Sequence, residues 1–403
     1  MDVERIGNKA KELDGEVREI RRHLHAYPEI AWQEVETTRY IVSKLEEYGF
    51  KDIKVGADGE QVGAVADLVG DPSGPCVALR TDIDALPLTE ENSVEYKSRN
   101  EGAMHACGHD AHMAMLLGAA KLLSSMKEEL PGKVRFIFQP AEEHGLRSGA
   151  DAMIREGVLE GVDAIGGMHL WSHVPSGRVQ WRSGPVMASA DKWEVEFTGK
   201  GGHGAMPQNA IDPTLAAANM IMAMQTIISR EIDPLQTAVI SIGQLVSGEV
   251  INIIPNSAYL MGNTRTFDIG VRNKMEERIR RIADGVAAAY RCTAETRYTS
   301  VYPNPVINDK TLALLFRDTA ERVVGEENVE ETPMLMTSED FNFYQVKIPG
   351  NFFFLGCGNA EKGTDRPHHS PRFDVDEDVL PTGISLLASF ACSVLEDPKA
   401  LKR

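Results

Sequence analysis

Apolar and polar positions along this chain follow two rhythms. Residues 1–25 and 32–48 place apolar side chains at helical spacing, and Pro28 separates the two stretches because proline disfavours helix in the residue before it. Short continuous apolar runs come next, with the length of buried strands. Residues 77–79 run into Arg80-Thr81-Asp82-Ile83-Asp84, and 134–138 run into Gln139-Pro140-Ala141-Glu142-Glu143. Residues 164–168 lead into His169, and 352–355 are followed by Gly356-Cys357-Gly358. Asp110 is expected to cap a helix reaching to Met126. Strands alternating with helices predict an α/β domain on a mostly parallel sheet flanked by helices.

The rhythm changes between residues 184 and 297. Residues 193–198 alternate like a half-buried strand and end at a glycine-rich turn carrying His203. A helix over 213–229, strands over 237–245 and 258–267, a helix over 271–290 and a strand over 293–298 complete the order β-α-β-β-α-β, the ferredoxin-like arrangement. The α/β pattern resumes after Pro303. The expectation is a larger, discontinuous domain over 1–183 and 298–403, interrupted by an α+β domain over 184–297.

Bulk properties narrow the function. At 403 residues the chain exceeds the usual size of one hydrophobic core. A formal charge of −18 argues against nucleic acid or an anionic membrane as the main partner. The N-terminal stretch is charged and lacks an apolar signal core, and no uninterrupted apolar run of about 18 residues suggests a membrane span. The five cysteines are odd in number and show no C-x-x-C spacing, which suits free thiols in a reducing compartment. A cytoplasmic location is expected.

Candidate chemistry collects where predicted strands end, the edge at which open α/β sheets bind ligands. His105-Ala106-Cys107-Gly108-His109-Asp110-Ala111-His112 offers four donors and an acid in eight positions. Gly108 would let Cys107 and His109 fold onto one ion, although a buried cysteine is more often structural. Glu142 and Glu143 follow a buried strand, so one can bind a cation while the other moves protons. His169 is a similar candidate, and His368 and His369 compete for one role. The glycines around His203 either serve a tight turn or present its imidazole to a site in the other domain. His23, His25, His144 and His173 receive no role, and the chain has no G-x-S-x-G or P-loop motif.

Together these segments resemble the amidohydrolase branch of the aminoacylase and glutamate-carboxypeptidase metallopeptidase superfamily, which includes hippurate hydrolases, N-acyl-amino-acid amidohydrolases and indoleacetyl-amino-acid hydrolases. The matching stretches are HLHAYPEIAWQE (23–34), LRTDIDALPLTE (79–90), MHACGHDAHMAMLLGAA (104–120), FQPAEE (138–143), GMHLW (167–171), GGHGAMPQNAIDP (201–213), INIIPNSA (251–258), TSEDF (337–341) and HHSPRF (368–373). The resemblance implies two divalent ions, zinc or manganese with cobalt or nickel as further options, held by Cys107, His109, Glu143, His169 and His369. Cys107 would bridge them, Glu142 would be the general base, and Asp82 would orient the centre. Distant relatives carry H-x-D where this chain has Arg80-Thr81-Asp82; Arg80 is no ligand, and His109 would compensate.

The smaller domain would mediate dimerisation and act as a lid, with His203 and Asn252 near the substrate. The implied reaction is hydrolysis of an N-acyl amino acid to a carboxylate and a free amino acid, with dipeptides or N-acetyl-diaminopimelate as alternative substrates. Arg80 and Arg265 are candidates for holding the substrate carboxylate. Two other classes remain at this point: a non-catalytic binding protein on the same fold, and a thiol hydrolase with Cys107 as nucleophile.

Overall fold

The computed structural model describes residues 2–397 and Leu401, and the chain divides into two compact units. One contains the described residues of Met1–Val186, Ile307–Pro333 and Asp340–Arg403, and the other Met187–Val306 and Met334–Glu339.

The first unit opens with helices α1 (Val3–Glu12), α2 (Asp14–Ala26) and α3 (Val35–Glu47), so the stretch read as one helix over 1–25 breaks at Leu13. Strands β1 (Lys54–Ala57) and β2 (Glu60–Val69) form a hairpin whose Asp58 and Gly59 both have positive φ, 54° and 83°. That is the turn an Asp-Gly pair favours, a signal the apolar pattern did not single out. Then come β3 (Cys76–Asp82), helix α4 (His109–Ser124), β4 (Lys133–Gln139), β5 (Ala164–Pro175) and β6 (Val179–Trp181). With Val329–Glu331 and Gly350–Gly358 these strands make one eight-stranded sheet, ordered β1, β2, β4, β3, β5, Gly350–Gly358, β6, Val329–Glu331.

The sheet is mixed. It is parallel from β4 through β3 and β5 to Gly350–Gly358, and antiparallel where β2 meets β1 and β4 and where β6 meets Gly350–Gly358. All seven residues of β3 are buried, as a central strand covered on both faces requires. Register sets Asp82 opposite Gln139 and His169 opposite Phe354, so the segments after β3, β4 and β5 leave the sheet at one edge.

Two expectations need correction. Asp110 does not cap α4: Gly108, at φ 90°, precedes the helix, and Asp110 lies inside its first turn, fully buried and bonded to Arg21 and His25. Its Oδ2 accepts from both buried cations, and its Oδ1 has no hydrogen-bond partner among the described residues, so neither oxygen caps the helix. The helical stretch Glu377–Glu396 is long and apolar enough to cross a bilayer, and the sequence reading passed over it; 78% of its apolar window is buried inside the protein, as in a core helix.

In the second unit, Ser189–Thr198, Ala238–Ser247, Ser257–Thr266 and Thr293–Tyr302 form an antiparallel sheet with helices Pro213–Thr226 and Met275–Tyr290, in the chain order β-α-β-β-α-β. Asp212 and Asp268 cap the first helix and the short turn Ile269–Arg272 through Thr214 N and Val271 N, at 2.9 and 2.8 Å. Trp193 is fully buried at the centre of this unit's core.

Candidate metal centre

At the carboxyl edge of the large sheet, four chain segments converge. Cys107 Sγ lies 3.4 Å from His169 Nε2, and His369 Nε2 lies 3.2 Å from Glu143 Oε1. The donor atoms of Cys107, His109 and His169 are all within 4.8 Å of one another, as are those of Cys107, Glu143 and His369. The five expected ligands therefore form two triads that share Cys107. Glu142, also buried, groups with His109 and Glu143 on the same scale.

Their hydrogen bonds show why these donors suit a cation. His109 Nδ1 donates to the Asp84 carbonyl at 2.8 Å, and its Nε2 is buried with no hydrogen-bond partner among the described residues. His169 Nδ1 likewise donates to the Leu170 carbonyl at 2.5 Å, which turns Nε2 towards Cys107. An imidazole that spends its Nδ1–H on a backbone carbonyl keeps an Nε2 lone pair for a metal. Asp84 also accepts the Glu143 amide at 2.9 Å, so one aspartate orients two of the donors.

Electrostatics point the same way. Burial raises the Cys107 thiol well above its usual range, and the charges of Glu143, Glu142 and Asp82 raise it further. Burial pulls His109 down, but Asp82 and Asp84 outweigh it and lift the ring to about 10. The cluster thus holds protons that a divalent cation would displace, as thiolate and imidazole ligation requires. Its sulfur, nitrogen and oxygen donors fit a first-row divalent ion.

Asp82 is fully buried and supports this arrangement. Its Oδ1 accepts from His112 Nδ1 at 2.8 Å and its Oδ2 from Arg80 at 3.0 Å, and despite burial the charges of His109 and Arg80 together with the His112 hydrogen bond hold it well below the usual carboxylate range. His112 is no free donor, because its Nε2 accepts the Leu170 amide at 2.9 Å. Arg80 is not available to a substrate carboxylate either: it is 2% exposed and donates to Gln139, Asp82 and Asp340. The sequence could not show that its three partners wait inside the protein.

Between the last two histidines, His369 meets Glu143, whereas His368 accepts the Ser172 amide at 3.1 Å through Nε2 and turns Nδ1 towards Cys107 at 3.8 Å. His203 and Asn252 lie together in the second unit, where the Gly204 amide donates to the Asn252 carbonyl at 2.8 Å. His203 Nδ1 accepts from the Ala205 amide at 3.0 Å, which leaves an Nε2–H on an exposed ring. Two residues escaped the sequence reading. Asp84 and Asp340 carried no assigned role, although both fall in quoted stretches; the Asp340 amide reaches Glu142 Oε1 at 3.4 Å.

Residues 78–393 match Peptidase family M20/M25/M40. The chain belongs to that family. This M20 chain is 40% identical over 368 residues to the N-acetyl-L-cysteine deacetylase of Bacillus subtilis (strain 168), covering 91% of this chain and 85% of the relative. It is also 40% identical over 386 residues to thermostable carboxypeptidase 1 of Saccharolobus solfataricus, covering 94% and 96%. Among solved structures it is similar to Bacillus subtilis YXEP, described as a dinuclear metal-binding peptidase from the M20 family, with a TM-score of 0.83, 37% identity and coverage of 96% and 99%.

An M20 chain is a hydrolase, which sets aside the non-catalytic reading. The thiol-hydrolase reading meets a physical objection. A nucleophilic cysteine needs a lowered pKa, and the surroundings of Cys107 in this M20 protein raise it.

Proposed function

We propose that this protein is a dinuclear metal-dependent amidohydrolase that converts an N-acyl amino acid to a carboxylate and a free amino acid. The observation that carries the reading is the pair His109 and His169, each with Nδ1 committed to a backbone carbonyl and Nε2 left for a cation. Cys107, His109, Glu143, His169 and His369 would hold the ions, and Cys107 is common to both triads. Zinc or manganese is the proposed ion, and cobalt or nickel fits the same donors. Bound ions would supply an acidified water and polarise the scissile carbonyl.

The chain's own groups do the rest. Glu142 takes the proton of the attacking water and returns it to the leaving amine. Asp82 fixes the site through His112 and the buried Arg80. His203 donates its Nε2–H to the developing oxyanion, and Asn252 beside it contacts the substrate. With Arg80 occupied, Arg265 is the remaining candidate for the substrate carboxylate; its Nη1 donates to the Met336 carbonyl and Ser338 Oγ.

Self-association through the second unit is part of the proposal. Ala238–Ser247 is an edge strand with Leu245 and Val246 exposed, and Leu215 and Met222 are exposed on helix Pro213–Thr226. Unpaired strand edges with apolar side chains suit pairing with a second copy. A cytoplasmic site of action remains the proposed location.

The test is hydrolysis by metal-free protein reloaded with each divalent ion, against N-acetyl and N-benzoyl amino acids, N-acetyl-diaminopimelate and dipeptides. Dipeptides belong in the panel because a carboxypeptidase is among the relatives. Metal-dependent release of free amino acid is expected. Silence across the panel with two ions bound per chain would overturn the reading.

A further inference from the structure

We propose that Glu34 is a positioning residue for Glu142, holding the backbone turn that aims the base into the site. The inference rests on the reading of Glu142 as the general base.

The turn is unusual at Ala141, whose φ is +52°, a left-handed conformation that a residue with a Cβ rarely adopts. Something must hold it there, and the Glu34 carboxylate accepts the Ala141 amide at 2.8 Å with both residues fully buried. Glu34 is itself fixed. Its carbonyl accepts Thr38 Oγ1 at 2.6 Å, and Thr38 Oγ1 in turn accepts the Gly63 amide at 2.9 Å. The other end of the same loop is gripped by Trp32, whose Nε1 donates to the Arg147 carbonyl at 2.9 Å beneath the Arg147 guanidinium, 3.8 Å from the ring. The Gly149 backbone packs close against Pro140: a Cβ on Gly149 would stand 1.7 Å from the Pro140 carbonyl oxygen.

A division of labour follows from the next amide but one. Glu143 N is held by Asp84, at 2.9 Å, independently of Glu34. Two buried carboxylates therefore anchor the amides on either side of Glu142, one serving the proposed ligand Glu143 and one serving the base. Glu34 Oε2 is buried with no hydrogen-bond partner among the described residues, a costly arrangement for a side chain that only fills space.

The experiment compares Glu34→Ala, Glu34→Gln, Ala141→Gly and the double variant Glu34→Ala/Ala141→Gly in the full chain. Glu34→Ala should lower kcat on the order of 10²-fold, the scale of a misplaced reacting group, with KM and bound metal unchanged. Glu34→Gln should keep most of the rate, because its amide oxygen still accepts the Ala141 N–H. The double variant should recover part of the loss, since glycine adopts positive φ without strain. In the metal-free protein, Glu34→Ala should speed hydrogen exchange at the Ala141 amide. A wild-type kcat in Glu34→Ala, or a fall in kcat that tracks lost metal, overturns the proposal. If Glu34→Ala does not fold, Glu34→Asp, one methylene too short to reach, carries the same test. Glu142→Gln is measured alongside. If it keeps its rate, the reading of the base fails; if it is inactive while Glu34→Ala is not, only the role of Glu34 fails.

Discussion

Helix α4 carries two clusters of histidine and carboxylate on neighbouring residues, His109 on one side and Asp110 on the other. The Asp110 side pairs its charges with one another, although Asp110 Oδ1 has no hydrogen-bond partner among the described residues. Asp110 Oδ2 accepts from Arg21 at 2.8 Å and His25 at 2.7 Å, Arg21 continues to Asp374 at 2.7 Å, and His25 continues to Glu90 at 3.2 Å. Burial and the Arg21 charge oppose protonation of His25, yet Asp110 and Glu90 lift it to about 9. Every charge there has an opposite one in contact. The His109 side is left with a surplus: a buried imidazole nitrogen has no partner among the described residues, and a half-buried thiol sits among carboxylates that raise its pKa. Buried charge is tolerated when it is paired, and the cluster that is not paired is the one built for a cation from outside.

The sharpest way to break this comparison is chelation. Stripping divalent ions should abolish amide hydrolysis, and adding an ion back should restore it, while circular dichroism shows the fold unchanged because the Arg21 cluster needs no ion. Loss of secondary structure on chelation would mean that the two clusters are not independent.

Next is Glu142→Gln, which removes a proton carrier and no expected ligand. Turnover should fall about 10²–10⁴-fold with two ions still bound, measured by kcat and elemental analysis. Arg21→Ala addresses the other cluster. It leaves Asp374 buried without its cation and Asp110 with His25 alone, and should cost about 3–5 kcal/mol of stability in a denaturant titration, with kcat per folded molecule little changed.

The smallest effect is a pH dependence. His25 has its pKa raised from 6.5 to about 9 on folding, so its contribution is fully present below pH 6.5 and is lost as pH rises through 9. Denaturation midpoints should fall across that window, and His25→Asn should flatten the fall. An unchanged slope in the variant would remove His25 as the source.

The unpaired cluster was the more legible of the two. Its residues follow apolar runs whose strand character is readable, and chain order alone delivers Cys107, His109, Glu143 and His169 to one edge once those strands lie parallel. Nothing comparable announces the paired cluster, because Arg21, His25, Glu90, Asp110 and Asp374 share no local pattern and meet only through packing. The same blindness explains Arg80 and Asp110. A charged residue at a strand end or helix start reads as exposed or capping, and only tertiary partners show it to be buried and saturated. Asp84 was missed for a different reason: its hydrogen-bond acceptors orient other residues' donors, a role that leaves no mark in residue spacing.

The place of Gly350–Gly358 in the sheet has a consequence for synthesis. This strand lies between β5 and β6 but is made long after both, and the proposed ligand His369 follows it. Domains otherwise tend to fold from the N-terminal side as the ribosome delivers them. A nascent chain of the first 345 residues therefore holds a sheet with a gap beside β5 and a site lacking its last histidine. Ribosome-bound chains stopped before residue 350 should be protease-sensitive and inert, which keeps a hydrolase silent until its last proposed ligand has been made.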